Sequence, residues 1–188
     1  MDAKDFVYLH VHSHYSLLEA LPKPKALVKR AKELGMNALA LTDNGAIYGA
    51  VEFWKACKDA EIKPIIGADI YVAQHRMTDK RARLDDRPFR LVLLIETEEG
   101  YRNLSKILTA AFLEGFYYKP RVDHEFLKAH SKGLIALSGA VSGEIPSAAA
   151  NGELERAEKL IATYQDIFGK ENFYLELIRH PDMPRQVE

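Results

Sequence analysis

The chain has 188 residues, of which 47% are hydrophobic and 28% charged, with a formal net charge of −1. Those values belong to a globular domain and exclude a disordered, collagenous or disulfide-stapled chain. The charge balance also lacks the basic excess of a dedicated nucleic-acid clamp. The length suits a single domain spanning 1–188. One cysteine, Cys57, can form no internal disulfide and fits a reducing compartment. No apolar run reaches the length of a membrane span, and no apolar signal region follows Met1. The expectation is a cytoplasmic protein with no membrane contact.

Strand-like and helix-like segments alternate along the chain. Phe6 to His12 reads as a short strand. Pro22 to Gly35 reads as a helix, with Ala26, Leu27, Ala31 and Leu34 on one face and Gly35 as its stop. Ala38 to Asp43 reads as a buried strand, closed by the turn-forming Asn44-Gly45. Ile47 to Ala60 is a second helix and Lys63 to Val72 a third strand. The polar stretch Gln74 to Arg87, with its mixed charges, reads as a surface loop. Arg90 to Ile95 is the next strand and Glu98 to Leu113 the next helix. An aromatic linker, Gly115 to Pro120, leads into a short helix, Asp123 to His130. Leu134 to Ser138 reads as a strand, Glu153 to Phe168 as a helix and Phe173 to Ile178 as a last strand. Apolar strands separated by helices predict a parallel α/β sheet or barrel.

In parallel α/β folds, functional groups gather where strands end. Five polar features fall at such ends. His10-Val11-His12 puts two imidazoles on one strand face, which suits a divalent transition metal. Asp43-Asn44-Gly45 follows the second strand and reads first as a turn. Asp69 follows Gly67-Ala68 and offers a carboxylate. Ser138-Gly139-Ala140 suits a tight turn. Glu176 and His180 share a face if the last strand runs that far. His14 and Glu19 follow the first strand and can point toward the same site or into solvent. Cys57 lies within a helix and reads as packed. Phe116-Tyr117-Tyr118 beside Lys119 and Arg121 offers a base-stacking surface or a packed linker.

The run His10-Val11-His12-Ser13-His14-Tyr15-Ser16-Leu17-Leu18 resembles the opening motif of the PHP (polymerase and histidinol phosphatase) domain family. The version it resembles stands at the N-terminus of bacterial replicative polymerases. The likeness continues through Ala38 to Asp43, Tyr48 to Phe53 and Ile62 to Gly67. It returns at Glu98 to Leu104, Glu114 to Pro120, Leu134 to Gly139 and Phe173 to Leu177, in order along nearly the whole chain. The resemblance implies a distorted seven-stranded βα (TIM-like) barrel, here truncated before its last strand. It also implies a cluster of histidines and carboxylates, often with a cysteine, that binds up to three metal ions and hydrolyses phosphoesters. In some polymerases that cluster gives a proofreading exonuclease.

The sequence departs from the family pattern at several ligand positions. His10 and His12 match, but Glu19 stands for the usual Asp, Asn44 for a His and Asp69 for a Glu. Arg90 stands for a His and Ala140 for a Cys. Ala cannot ligate, Asn is a weak donor and Arg carries a positive charge. The resemblance therefore implies a largely degenerate centre with residual ligands His10, His12, Glu19 and Asp69. It holds no cofactor or, alternatively, one zinc or manganese ion, and a guanidinium from Arg90 could substitute for a lost metal. The function implied is a structural, partner-docking module of a polymerase. Its partners are the rest of the polymerase chain and the proofreading exonuclease subunit, with DNA reached only through the parent enzyme. The nucleotidyltransferase site lies outside this segment. The alternative is a metal-dependent phosphoesterase or 3′–5′ exonuclease.

Overall fold

A computed structural model of the chain describes residues 6–178. Two compact units divide between Asp69 and Ile70.

The first unit contains helix α1 (Pro24–Glu33), strand β1 (Ala38–Leu41), helix α2 (Ala50–Ala60) and the leading part of strand β2 (Lys63–Val72). Pro24 opens α1, where its fixed φ suits a helix start and its missing N–H costs nothing. Gly35 ends the helix at φ 76°, the left-handed stop expected at that place. β1 is buried along its whole length and pairs parallel with β2, Ala38 opposite Lys63 through Leu41 opposite Ile66. The core of this unit joins Val28 and Ala31 of α1, Leu39 and Leu41 of β1, and Phe53, Ala56 and Cys57 of α2. Cys57 is fully buried there, and burial pushes its thiol up to about 11, so thiolate is scarce near neutral pH. An aromatic disulfide reagent is therefore expected to label Cys57 only as urea unfolds the unit. Labelling of the native protein at the mixing rate would show instead that α2 opens freely.

The second unit holds the rest of β2, then β3 (Phe89–Ile95), α3 (Glu98–Leu113), β4 (Arg121–Val122) and α4 (His124–Ala129). It continues with β5 (Leu134–Leu137), α5 (Glu144–Ala150), α6 (Leu154–Phe168) and β6 (Phe173–Tyr174). Among the described residues six strands pair, in the order β1-β2-β3-β5-β6 with β4 beside β2. The result is a mixed α/β fold. Thr97 caps α3 by accepting the Gly100 amide at 3.2 Å, and Asp123 caps α4 by accepting the Phe126 amide at 2.9 Å. Gly100 has to be glycine, because a Cβ there would stand 1.8 Å from the Gly133 carbonyl oxygen.

Several expectations need correction. Residues 6–12 form no regular strand, although Tyr8 and Val11 carbonyls accept the Ala40 and Thr42 amides at 2.9 and 2.8 Å. The sheet is not wholly parallel: β3 and β5 are antiparallel. Two helices and β4 lie between them, so the chain comes back in the opposite sense. The last strand stops at Tyr174, and the proposed Glu176–His180 pair cannot be followed because His180 lies outside the described residues. Helix α5 was not anticipated, since Pro146 sits within an alanine-rich stretch that carries little periodicity. Among the described residues no helix is long and apolar enough to cross a membrane.

The stretch 74–87 has no regular secondary structure, as expected of a loop, but it is anchored. Arg121 of β4 is fully buried and donates to the carbonyls of Met77, Asp79, Asp85 and Gly115. The buried Asp85 carboxylate accepts from the backbone and guanidinium of Arg81, and His75 stands 3.0 Å away. Those Arg81 hydrogen bonds hold the Asp85 carboxyl well below the usual carboxylate range. Asp123, besides capping α4, accepts the Met77 amide at 2.9 Å.

Candidate metal centre

All the donors of the candidate centre belong to the first unit, and backbone pairing brings them together. Thr42, just past β1, receives the Val11 amide on its hydroxyl at 2.9 Å, and its own amide bonds the Val11 carbonyl at 2.8 Å. The residues flanking Val11 are His10 and His12. On the other side of Thr42-Asp43, the Asp69 amide donates to the Asp43 carbonyl at 3.1 Å and the Gly45 amide donates to the Asp69 carbonyl at 2.8 Å. Asp69 therefore lies within β2, not at its end, held by a turn that extends the β1–β2 pairing.

His10 Nε2 lies 3.0 Å and His12 Nε2 3.3 Å from the same oxygen, Asp69 Oδ2. The Asp69 side chain is almost wholly buried and the two imidazoles are mostly so. The rings meet edge to face with centroids 5.1 Å apart. His10 is aligned for a hydrogen bond to Asp69. His12 Nε2 is close but not aligned, so this buried nitrogen has no hydrogen-bond partner among the described residues. One ligand atom from each of His10, His12 and Asp69 can be chosen so that all lie within 4.8 Å of one another. Two neutral imidazoles and a carboxylate suit zinc or manganese, and an orphaned buried nitrogen is what a missing cation would leave behind. The residues thus fit a single ion.

Of the four ligands the sequence suggested, these three gather and Glu19 stands outside them. Its carboxylate accepts a hydrogen bond from the Asn44 side-chain amide at 2.6 Å. His14 does not join either; its ring packs against Tyr15 with centroids 4.3 Å apart. In the second unit, the Arg90 guanidinium lies 4.6 Å from the centre of the Tyr71 ring, within cation–π range. Ala140 is buried in the tight turn after β5, where Gly139 at φ 79° packs so closely that a Cβ would meet the Arg90 carbonyl.

Sequence reasoning passed over Asp43 as a turn residue. It is buried, and its carboxylate accepts three hydrogen bonds: from the Ser13 amide at 2.6 Å, the Ser13 hydroxyl at 2.8 Å and the Ser16 hydroxyl at 2.7 Å. The available signal was a lone Asp at the end of a fully apolar strand, facing a serine-rich segment.

A model of the PHP domain family matches residues 8–180. The DNA polymerase III subunit alpha of Chlamydia muridarum is 46% identical over 183 residues, covering 97% of this chain and 15% of that relative. The subunit of the same description from Treponema pallidum is 42% identical over 181 residues, covering 96% of this chain and 16% of its own. The one from Aquifex aeolicus is 40% identical over 181 residues, covering 93% and 16%. The chain spans about 15% of the length of the curated relatives it matches. Among solved structures, a candidate metal-dependent phosphoesterase from Bifidobacterium adolescentis superposes with a TM-score of 0.56 at 15% identity, over 90% of this chain and 76% of that one. At that identity the likeness speaks to the fold alone.

Proposed function

The chain belongs to the PHP domain family, and from that premise we propose that it is the PHP module of a bacterial replicative polymerase, serving as scaffold and docking domain. Its mixed α/β fold supports the polymerase chain, which works in the cytoplasm. The proofreading exonuclease subunit is its candidate partner, and DNA is met through the parent enzyme. The observation that carries this reading is the Glu19–Asn44 hydrogen bond. It commits to each other two side chains that a multi-metal phosphoesterase would turn toward its ions. Among the described residues three donors gather, and hydrolysis by two or three metals needs nearly every ligand.

A second reading rests on the same three donors. His10, His12 and Asp69 would hold one zinc or manganese ion, which would supply Lewis acidity toward a phosphate oxygen. Around it, the chain's own residues hold the imidazoles edge to face and keep the Asp69 carboxylate out of water.

The test is metal analysis of the purified protein, followed by hydrolysis assays with added manganese or zinc on a nitrophenyl phosphodiester and an end-labelled single-stranded DNA. The scaffold reading expects at most one ion per chain and no hydrolysis above that of an Asp69→Asn variant. Two or more ions, with hydrolysis abolished by Asp69→Asn, would overturn it in favour of the phosphoesterase.

A further inference from the structure

We propose that Asp43 is the positioning residue of the candidate metal centre, the joint that holds the His10-Val11-His12 segment and Asp69 in register. The inference rests on the single-ion reading of the three donors. Asp43 bonds Ser13 and Ser16, not the imidazoles, through its carboxylate. It acts through both of its functional groups at once. Its carboxylate takes the Ser13 amide, the Ser13 hydroxyl and the Ser16 hydroxyl at 2.6, 2.8 and 2.7 Å. Its carbonyl takes the Asp69 amide at 3.1 Å. One residue thus fixes the chain immediately after His12 and the backbone of the third donor.

The carboxylate is worth more here than a neutral group of the same shape. It is 1% exposed and acceptor-only, and it faces three donors. Hydrogen bonds to an ionised acceptor are roughly twice as strong as neutral ones. Asparagine in its place would turn an NH2 group toward part of that donor set. The Ser13 hydroxyl already accepts the Tyr15 amide at 3.3 Å, and accepting from that NH2 as well would deprive its own hydrogen of the carboxylate acceptor it now has. Ser16 links the same network to the far side of the turn, since its hydroxyl accepts the Asn44 amide at 3.1 Å. Residues 13 and 16 are themselves almost fully buried, so the anchor is dry. In such an environment a shift of the serine segment moves His12, two bonds of backbone away, and spoils a geometry that an ion needs.

The experiment compares Asp43→Asn and Ser16→Ala with Val28→Ala, a core substitution in the same unit. Zinc is the probe, titrated calorimetrically into the metal-free protein. The imidazole nitrogen resonances of His10 and His12 are recorded before zinc is added. Asp43→Asn is expected to weaken zinc binding about 10- to 100-fold, as loss of an outer partner of metal ligands commonly does, with Ser16→Ala in the same direction. It is also expected to shift both imidazoles in the metal-free state. Val28→Ala should lower the unfolding midpoint without moving either readout in the folded protein. Unchanged zinc affinity and unchanged imidazole resonances in Asp43→Asn would overturn the proposal. So would equal changes in Val28→Ala, which would reduce Asp43 to a general stabiliser. If the unsubstituted protein binds no zinc, the single-ion reading fails by itself. The imidazole shifts then still decide whether Asp43 sets the histidine geometry.

Discussion

Arg121→Met is expected to destabilise the second unit by about 4 kcal/mol, a large share of the roughly 5–15 kcal/mol that holds a domain together. The reason lies in what the guanidinium touches. It is fully buried and serves the carbonyls of Met77, Asp79, Asp85 and Gly115, three of which belong to a loop with no ladder of its own. Methionine fills much of the volume but strands those four acceptors. Each hydrogen bond to a charged donor is worth about 1.5–3 kcal/mol, and partial rehydration of the loop returns some of the loss. Lysine should recover at most about half, because a point charge with three donors cannot reach four carbonyls spread around a planar fork. With a urea slope of about 2 kcal/mol/M, the methionine variant should unfold about 2 M earlier. Trypsin should then cut first at Arg81 or Arg83, in the loop whose carbonyls Arg121 holds. The measurement is clean at pH 7. Asp85, the other anchor of that loop, has its carboxyl depressed by Arg81. Its stabilising contribution is complete above the unfolded value of roughly 4 and fades only as pH falls toward the lower folded value. An Arg121→Met protein with an unchanged midpoint and an uncut loop would mean that the Asp85–Arg81 and Asp123–Met77 bonds suffice.

That loop marks where sequence reading reached its limit. Polarity and mixed charge correctly predicted no helix or strand over 74–87, because those properties follow local composition. They could not predict that Met77 and Asp85 are buried, because the cause is an arginine some 40 positions away. The helices were the most legible elements. Glu98–Leu113 appears with the predicted ends, since its apolar period and its Thr97 cap are both local. Antiparallel β3 and β5 were not legible. An apolar run states that a strand is buried, and says nothing of the direction in which its neighbour runs. Residues 6–12 show a third kind of miss. The β-prone pattern is real and the segment does lie beside β1. The Thr42 hydroxyl, however, takes the Val11 amide, which removes one bond of the regular ladder. The same bond helps place the histidines, so the local irregularity and the candidate site have one cause.

At the site, residue type was legible and allegiance was not. His10 and His12 could be paired from their spacing, and Asp69 was a strand-end carboxylate that the resemblance added to them. Glu19 had equal standing in sequence because a carboxylate near the first strand looks like any other donor. Its hydrogen bond to Asn44 sets it apart from the trio. That coupling is invisible when each position is judged alone.

The consequence can be measured by contrasting two carboxylates. Asp69→Asn is expected to weaken zinc binding about a hundredfold or more, whereas Glu19→Gln should change it less than about threefold. Asp69 presents Oδ2 to both His10 Nε2 and His12 Nε2, at 3.0 and 3.3 Å. Asparagine would leave the cation without its one negative donor and would replace an oxygen by a group that cannot ligate. The fold should survive the change. The bonds that hold Asp69 in β2 are made by its backbone, to Asp43 and Gly45, and do not depend on the side chain. Glutamine at 19 keeps an acceptor for the Asn44 amide and removes a charge that lies outside the trio. Circular dichroism and the urea midpoint would confirm that neither variant has unfolded, and calorimetric titration would give the two affinities. Comparable losses in both variants would mean that Glu19 leaves Asn44 and turns inward when an ion arrives. The centre would then have four ligands rather than three, and the argument for a retired hydrolytic site would lose its main support. A loss confined to Asp69→Asn would leave Glu19 outside the centre and keep two histidines and one aspartate as its donors among the described residues.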